Sequence, residues 1–428
     1  MTHGSLGVPQ GAALTLGAVL GTGVISLPAL AAHEAGPASL VAWLGLVLLS
    51  VPLATTFAAL GARHPDGGGV STYVRRAFGG QAATVIGWCF YFAIPVGAPA
   101  AAGFAGAYVA DSVGGGRQTQ LLTAGALIAV VAVMNWYGVR VSGRAQLVIA
   151  AALALLLTVA TLVSLPHASA ENLTPFAPHG WAAIGTAAAL LIWAFAGWEV
   201  VTSLSGDYRD PEHDIPRATA IALVVMAVLY LGIAFATVAV LGPDTGKAPL
   251  SDLLVLGFGE PARAVTTVVA VLLSLGAMNA YFAGSARLGA ALGRDGSLPV
   301  WFARGSTAGE VPRRSLLVVT AGALATLAAI AVVDVQIERT MMLVTGAFTI
   351  VYLVGTAAAM KLLPRRTWVW RGAVISFVAT FALLAFTGRY LLPQLVVALA
   401  ALAWTAQRSR RARRAGGSAA LVPAGPEE

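Results

Sequence analysis

Apolar runs of about 20 residues, long enough to cross a hydrocarbon core as a helix, follow one another along almost the whole chain, parted by short polar stretches. They fall near residues 11–32, 38–60, 84–110, 119–137, 145–165, 181–204, 217–241, 264–286, 315–333, 340–360, 372–387 and 390–406. The pattern predicts an all-α integral membrane protein with about 12 transmembrane helices. The leader MTHGSLGVPQ has no Lys or Arg, and the stretch from Gly11 to Ala32 holds internal glycines and Pro28 without a convincing cleavage site. The first run therefore reads as a span and not as a removed signal.

Composition sharpens the class. Charged residues make up 10% of the 428 and hydrophobic ones 58%, with a mean hydropathy of +0.81. A soluble domain carries roughly 25% charged residues, so a water-exposed surface cannot be built from this chain. One embedded unit over residues 1–407 is expected. The net charge of +8 and basic pI could point to nucleic acid, but the placement of the charges says otherwise. With the N-terminus in the cytoplasm, only Arg117, Lys247, Arg263, Arg339 and Arg389 of the 26 Lys and Arg fall in outer loops. That asymmetry places both termini in the cytoplasm and makes the basic pI a topology signal. Residues 408–428 read as a basic, then disordered, cytoplasmic tail. Its arginines serve either as an anchor on anionic lipid headgroups or as a regulatory docking site. The single Cys89 lies in an apolar run and reads as a small packing residue.

Two runs carry unusual chemistry. The first contains GAVLGTGVISLPAL, with Gly17, Gly21 and Gly23 close together. Glycine costs about 1 kcal/mol against alanine in a helix interior. These glycines either allow tight helix packing or mark an unwound break that offers backbone N–H groups to a ligand. The sixth run contains LLIWAFAGWEVVTSLSG, in which Gly197 is close to Glu199, one of very few ionisable side chains well inside any run. A carboxyl at that depth faces a protein interior or an aqueous cavity. It is either a protonated group bonded to a neighbouring helix or a protonatable switch that organises unwound backbone. Interrupted helices at corresponding places in two halves point to a transport site, and runs 1 and 6 correspond if the first ten form two five-helix repeats. Pro95 and Pro99 in the third run read as a packed kink or as a bend beside a substrate path. Runs 3, 5, 8 and 10 hold no Asp, Glu, Lys or Arg in their apolar stretches, which favours a substrate with a neutral side chain. The six histidines show no metal-ligand spacing, and no phosphate-binding loop or nucleophile elbow is present. No cofactor, no metal and no enzymatic activity are expected.

These segments resemble the amino acid–polyamine–organocation superfamily over essentially the whole chain. GAVLGTGVISLPAL and FAGWE look like its first-span and sixth-span signatures, and DYRDPEHDIPRA is similar to its loop after span 6. SARLGAALGRDGSLPVWFAR followed by VPRRSL looks like its region after span 8. Within the superfamily the chain looks closest to bacterial exporters of L-methionine and branched-chain amino acids, on LGTGV, PALAA, GGV and GW followed by IPVGAPAA. The resemblance implies a 5+5 inverted repeat (LeuT-like) with helices 1 and 6 broken, plus two extra helices. The repeats would cover about 11–165 and 181–360, and the extra helices about 372–406. By position, backbone around Gly21, Thr22 and Gly23 would take a substrate carboxylate, and carbonyls near Trp193, Phe195, Ala196 and Gly197 its ammonium. Trp193 or Phe195 would belong to a gate, and Asn279 to a polar pocket wall. A span-5 lysine used by some proton-coupled relatives is missing, which leaves Glu199 as the candidate proton site. The expected function is secondary transport of neutral, apolar amino acids across the bacterial cytoplasmic (inner) membrane, as efflux of methionine, leucine, isoleucine or valine, with protons as the coupling ion. An importer or exchanger is the alternative within the class, and a non-transporting membrane sensor the alternative outside it. The expected partners are a zwitterionic amino acid, protons and membrane lipid, and no nucleic acid.

Overall fold

The computed structural model describes residues 6–64, 69–138, 143–199, 205, 208–305, 310–337 and 340–419. Backbone polar groups in hydrocarbon must find partners within the chain, and the regular segments among the described residues are all helical apart from one isolated bridge between Leu6 and Tyr208. In chain order they are α1 (Val8–Val19), α2 (Leu27–Ala35), α3 (Ser39–Arg63), α4 (Gly69–Phe78), α5 (Gly80–Val113), α6 (Gly116–Trp136), α7 (Gly143–Ser164) and α8 (Ala183–Phe195). There follow α9 (Pro211–Ala236), α10 (Pro249–Phe258), α11 (Pro261–Arg294), α12 (Arg313–Val333), α13 (Thr340–Leu362), α14 (Trp368–Thr387) and α15 (Leu392–Ala419).

Among the described residues nine segments are long and apolar enough to cross a membrane, and α1, α8 and α10 are shorter apolar helices. The first and sixth expected runs give short pieces because each is interrupted. The rest of the sixth run, 200–204, lies outside the described residues. Two helices fall where only loops were expected. α4 buries Val70, Tyr73, Val74 and Ala77 and exposes Arg75 and Arg76, an amphipathic pattern too short and too polar to read as a span. α10 caps the connection between α9 and α11. α15 runs past residue 407 through the arginine cluster of the tail to Ala419. Arg and Ala are strong helix formers, so a helix leaving the bilayer has no reason to stop at the interface. Residues 420–428 lie outside the described residues.

α5 is the centre of the bundle, packed on α6, α11, α12 and α13. Its buried face is largely Ala and Gly, and small side chains let helix backbones approach closely. At Gly106 an added Cβ would stand 2.6 Å from the Gln120 carbonyl oxygen of α6. Pro95 packs on Gly322 of α12, and α5 stays continuous through Pro95 and Pro99.

Polar contacts sort the loops into two ends. At one end Arg75 pairs with Asp295 at 3.0 Å, Lys361 donates to the Ala77 carbonyl, Arg408 donates to the Asp295 carbonyl, and the Arg209 N–H donates to Leu6. At the other, Arg263 gathers Asp111, Asp252 and Glu260, and Arg117 pairs with Asp334. The grouping follows the same alternation of loops as the Lys and Arg count.

Candidate substrate site

α1 ends at Leu20, whose ψ of 47° leaves the helical region, and α2 starts only after Ser26. The chain between consists of turns, with the Leu27 N–H donating to the Gly23 carbonyl at 2.8 Å. α8 ends in the same way: Ala196 is extended, with ψ 139°, and Gly197 has φ +132°. Both glycine-marked runs are thus interrupted, and the two breaks touch. A Cβ on Gly197 would lie 3.0 Å from the main-chain atoms of Ala18 and Val19.

A break frees carbonyls that would be costly to bury unpaired. Tyrosines on other helices meet them. Tyr230 Oη of α9 lies 2.7 Å from the Val19 oxygen and 2.9 Å from the Ala194 oxygen, so its one proton is shared between the two breaks. The Tyr108 hydroxyl of α5 donates to the Ile25 carbonyl. Tyr352 Oη of α13 stands 2.7 Å from Glu199 Oε2 and 3.2 Å from the Phe195 oxygen. The Gly197 N–H reaches both Glu199 Oε2, at 2.9 Å, and Tyr352 Oη, at 3.1 Å. The Glu199 carboxyl therefore bridges the second break and α13.

Between the breaks lies a cavity. Its walls are Ala18, Gly21 and Thr22 from the first break, Trp193 and Ala196 from the second, and one face of α5 from Ala93 to Ala101. Ala277, Met278, Tyr281 and Phe282 of α11 and Val344 and Phe348 of α13 complete it. No wall residue is charged. The volume open to the centre of a water molecule is about 50 Å3, several times what one water requires. The Trp193 indole forms one side, edge-on to Phe104 at 6.3 Å and to Phe348 at 6.4 Å. Two glycines make its slot: a Cβ on Gly23 would meet the indole at 2.7 Å, and one on Gly97 at 3.1 Å.

The structure divides the expected site residues. Gly21, Thr22, Trp193 and Ala196 face the cavity, while Gly23 and Gly197 stand behind it, the first against the indole and the second against the other break. The side chains of two expected residues lie off the cavity. Phe195 points away from the cavity into the core, 5.9 Å from Trp43 and 5.2 Å from Tyr230, because it ends α8 on the face that packs on α3 and α9. Asn279 is no cavity wall. One residue on from Met278, and so turned by about 100°, its Oδ1 accepts from Asn135 Nδ2 of α6 at 2.8 Å. The three tyrosines that satisfy the breaks were missed. Their only signal in the sequence was a hydroxyl inside an otherwise apolar span.

Two interrupted helices meeting at an uncharged cavity inside an apolar bundle define a membrane permease. A sequence model described as amino acid permease matches residues 6–416, and the chain belongs to that family. The expectation drawn from the motifs holds at that level. The chain is 34% identical to the uncharacterized amino acid permease YecA of Bacillus subtilis, over 91% of this chain and 93% of that one. It is 32% identical to the L-methionine/branched-chain amino acid exporter YjeH of Escherichia coli, over 90% and 91%. It is 25% identical to the branched-chain amino acid permease BcaP of Bacillus subtilis, over 67% and 66%.

Proposed function

We propose that the protein is a secondary transporter of neutral, apolar amino acids in the bacterial cytoplasmic membrane, with both termini inside and a 5+5 inverted repeat followed by two further helices. The observation that carries this reading is the cavity itself: two backbone breaks on one side and uncharged Ala, Val, Met and Phe side chains on the others. Peptide dipoles suit the charged ends of a zwitterion, and an apolar wall suits an aliphatic or thioether side chain. Backbone near Gly21 and Thr22, before the N-terminal end of α2, takes the carboxylate. Carbonyls near Trp193 and Ala196 take the ammonium. Trp193, wedged against Phe104, closes the cavity toward the end of the bundle that carries Arg263.

Similarity to the Escherichia coli exporter favours efflux of methionine and branched-chain amino acids. Proton entry at Glu199 supplies the driving force. One charge moved through 100 mV is worth about 2.3 kcal/mol, which sustains a gradient of roughly fiftyfold. An importer or exchanger is the second reading, favoured by similarity to the branched-chain permease.

The test is a panel of labelled leucine, methionine, arginine and glutamate in proteoliposomes, with and without a pH gradient. Flux of leucine and methionine but not of the charged pair is expected, and flux of arginine or glutamate alone would remove the reading. Gly21→Val checks the site. A Cβ at Gly21 has only the Ala18 oxygen within reach, at 3.6 Å, so the fold accepts it and its methyl groups enter the cavity. Overfilling a packed site costs about 1–3 kcal/mol, and leucine flux should fall by about tenfold or more at unchanged abundance.

A further inference from the structure

A second chamber lies on the far side of the Trp193–Phe104 pair. Ser26, Ala29, Leu30 and His33 of the α2 segment form one wall, Phe104 and Ala107 of α5 another, and Gly246, Lys247 and Gln336 stand at its mouth. The volume open to the centre of a water molecule is about 270 Å3, against about 50 Å3 in the central cavity. This chamber is the roomier of the two, and Trp193 on the wall of the central cavity meets Phe104 on the wall of this one at 6.3 Å.

Its polar groups are set out for a ligand. Ser26 is 4% exposed, and its Oγ has no hydrogen-bond partner among the described residues. Buried hydroxyls are normally satisfied, and among the unmatched side-chain oxygens of the described residues Ser26 Oγ is the one whose residue lines this chamber. His33 Nε2 lies 2.6 Å from the Thr245 carbonyl. A carbonyl only accepts, so the imidazole carries its proton on Nε2 and ties the loop that holds Lys247 over the mouth. Lys247 makes no ion pair with any described side chain, whereas Arg263 and Arg117 near the same end are both paired. An ammonium at the rim, an unsatisfied oxygen deeper in, and Leu30 with Phe104 beside them complement a carboxylate, an ammonium and an apolar side chain in one small molecule.

We propose that this chamber is a second site for the same amino acids, in which Lys247 holds the carboxylate and Ser26 Oγ accepts from the ammonium. The proposal rests on the transport reading above, and makes the chamber a waiting site on one face of the membrane.

The experiment compares leucine flux in right-side-out and inside-out vesicles. Loss of a charge-assisted hydrogen bond at the mouth should raise half-saturation by about tenfold. Lys247→Gln should therefore raise it for leucine offered at the Lys247 face relative to leucine offered at the other, and Lys247→Arg should restore the ratio. In the unaltered chain, raising salt from roughly 0.05 to 0.5 M should weaken half-saturation at that face, because the mouth is open to screening, and Lys247→Gln should remove the salt effect. Equilibrium dialysis of purified Gly21→Val with labelled leucine, its central cavity narrowed by the valine, should still show binding, and Lys247→Gln should weaken that binding by about tenfold. A shift equal on both faces, failure of Lys247→Arg to restore the ratio, or no binding to Gly21→Val would overturn the proposal while leaving central transport standing. Absence of any leucine flux or binding in the unaltered chain would sink both.

Discussion

Gly197→Ala is expected to abolish amino acid flux while the protein still reaches the membrane. Its φ of +132° lies where side chains are strained, at a cost of about 1–3 kcal/mol. The added Cβ would also press at 3.0 Å on main-chain atoms of Ala18 and Val19. Those atoms are not the end of a flexible side chain, so relief requires the two breaks to part. Their close approach is what gives the cavity its shape. Gly21→Ala is the control, because a Cβ there makes only an ordinary 3.6 Å contact. Flux in proteoliposomes below about 1% for Gly197→Ala, with Gly21→Ala far less affected, is the expected pair of results; strain and backbone displacement together need supply only about 2.7 kcal/mol for that difference. Flux within twofold of native for Gly197→Ala would mean that the breaks need not touch.

The second large effect separates the two roles that Glu199 can hold. A glutamine there keeps an oxygen to accept from the Gly197 N–H and the Tyr352 hydroxyl, so the second break stays organised while the titratable proton is gone. An alanine leaves both donors buried without that partner, at about 1–3 kcal/mol each. Glu199→Gln should therefore retain leucine counterflow and lose its stimulation by a pH gradient. Glu199→Ala should lose counterflow as well, by about 100-fold. An unchanged pH response in Glu199→Gln would remove this carboxyl as the coupling group and leave it the purely organising role that its hydrogen bonds already describe.

Both variants sit at features legible in the amino-acid sequence. Apolar runs separated by polar loops are a strong signal, because hydrocarbon permits few other backbones. Gly21, Gly23 and Gly197 stood out because glycine in a helix interior weakens it and needs a reason. What stayed hidden was tertiary. Tyr230, Tyr108 and Tyr352 serve the breaks from helices far away in sequence, and nothing local to any of them says which carbonyl it will meet. The family resemblance places Phe195 and Asn279 at the cavity. Which way a side chain faces at the last turn of α8, or one step round α11 from Met278, depends on neighbours that the one-dimensional pattern does not contain.

Point mutation exchanges side chains and leaves peptide groups in place. Around the cavity the labour is split along that line, with interrupted main chain on one side and replaceable residues such as Met278, Val344 and Phe348 on the other. Under the proposed reading, the part that recognises what every amino acid shares is largely shielded from substitution. The part that tells one amino acid from another is open to it. A lineage carrying this scaffold can drift from one cargo to the next by single replacements without first dismantling the grip on the common core.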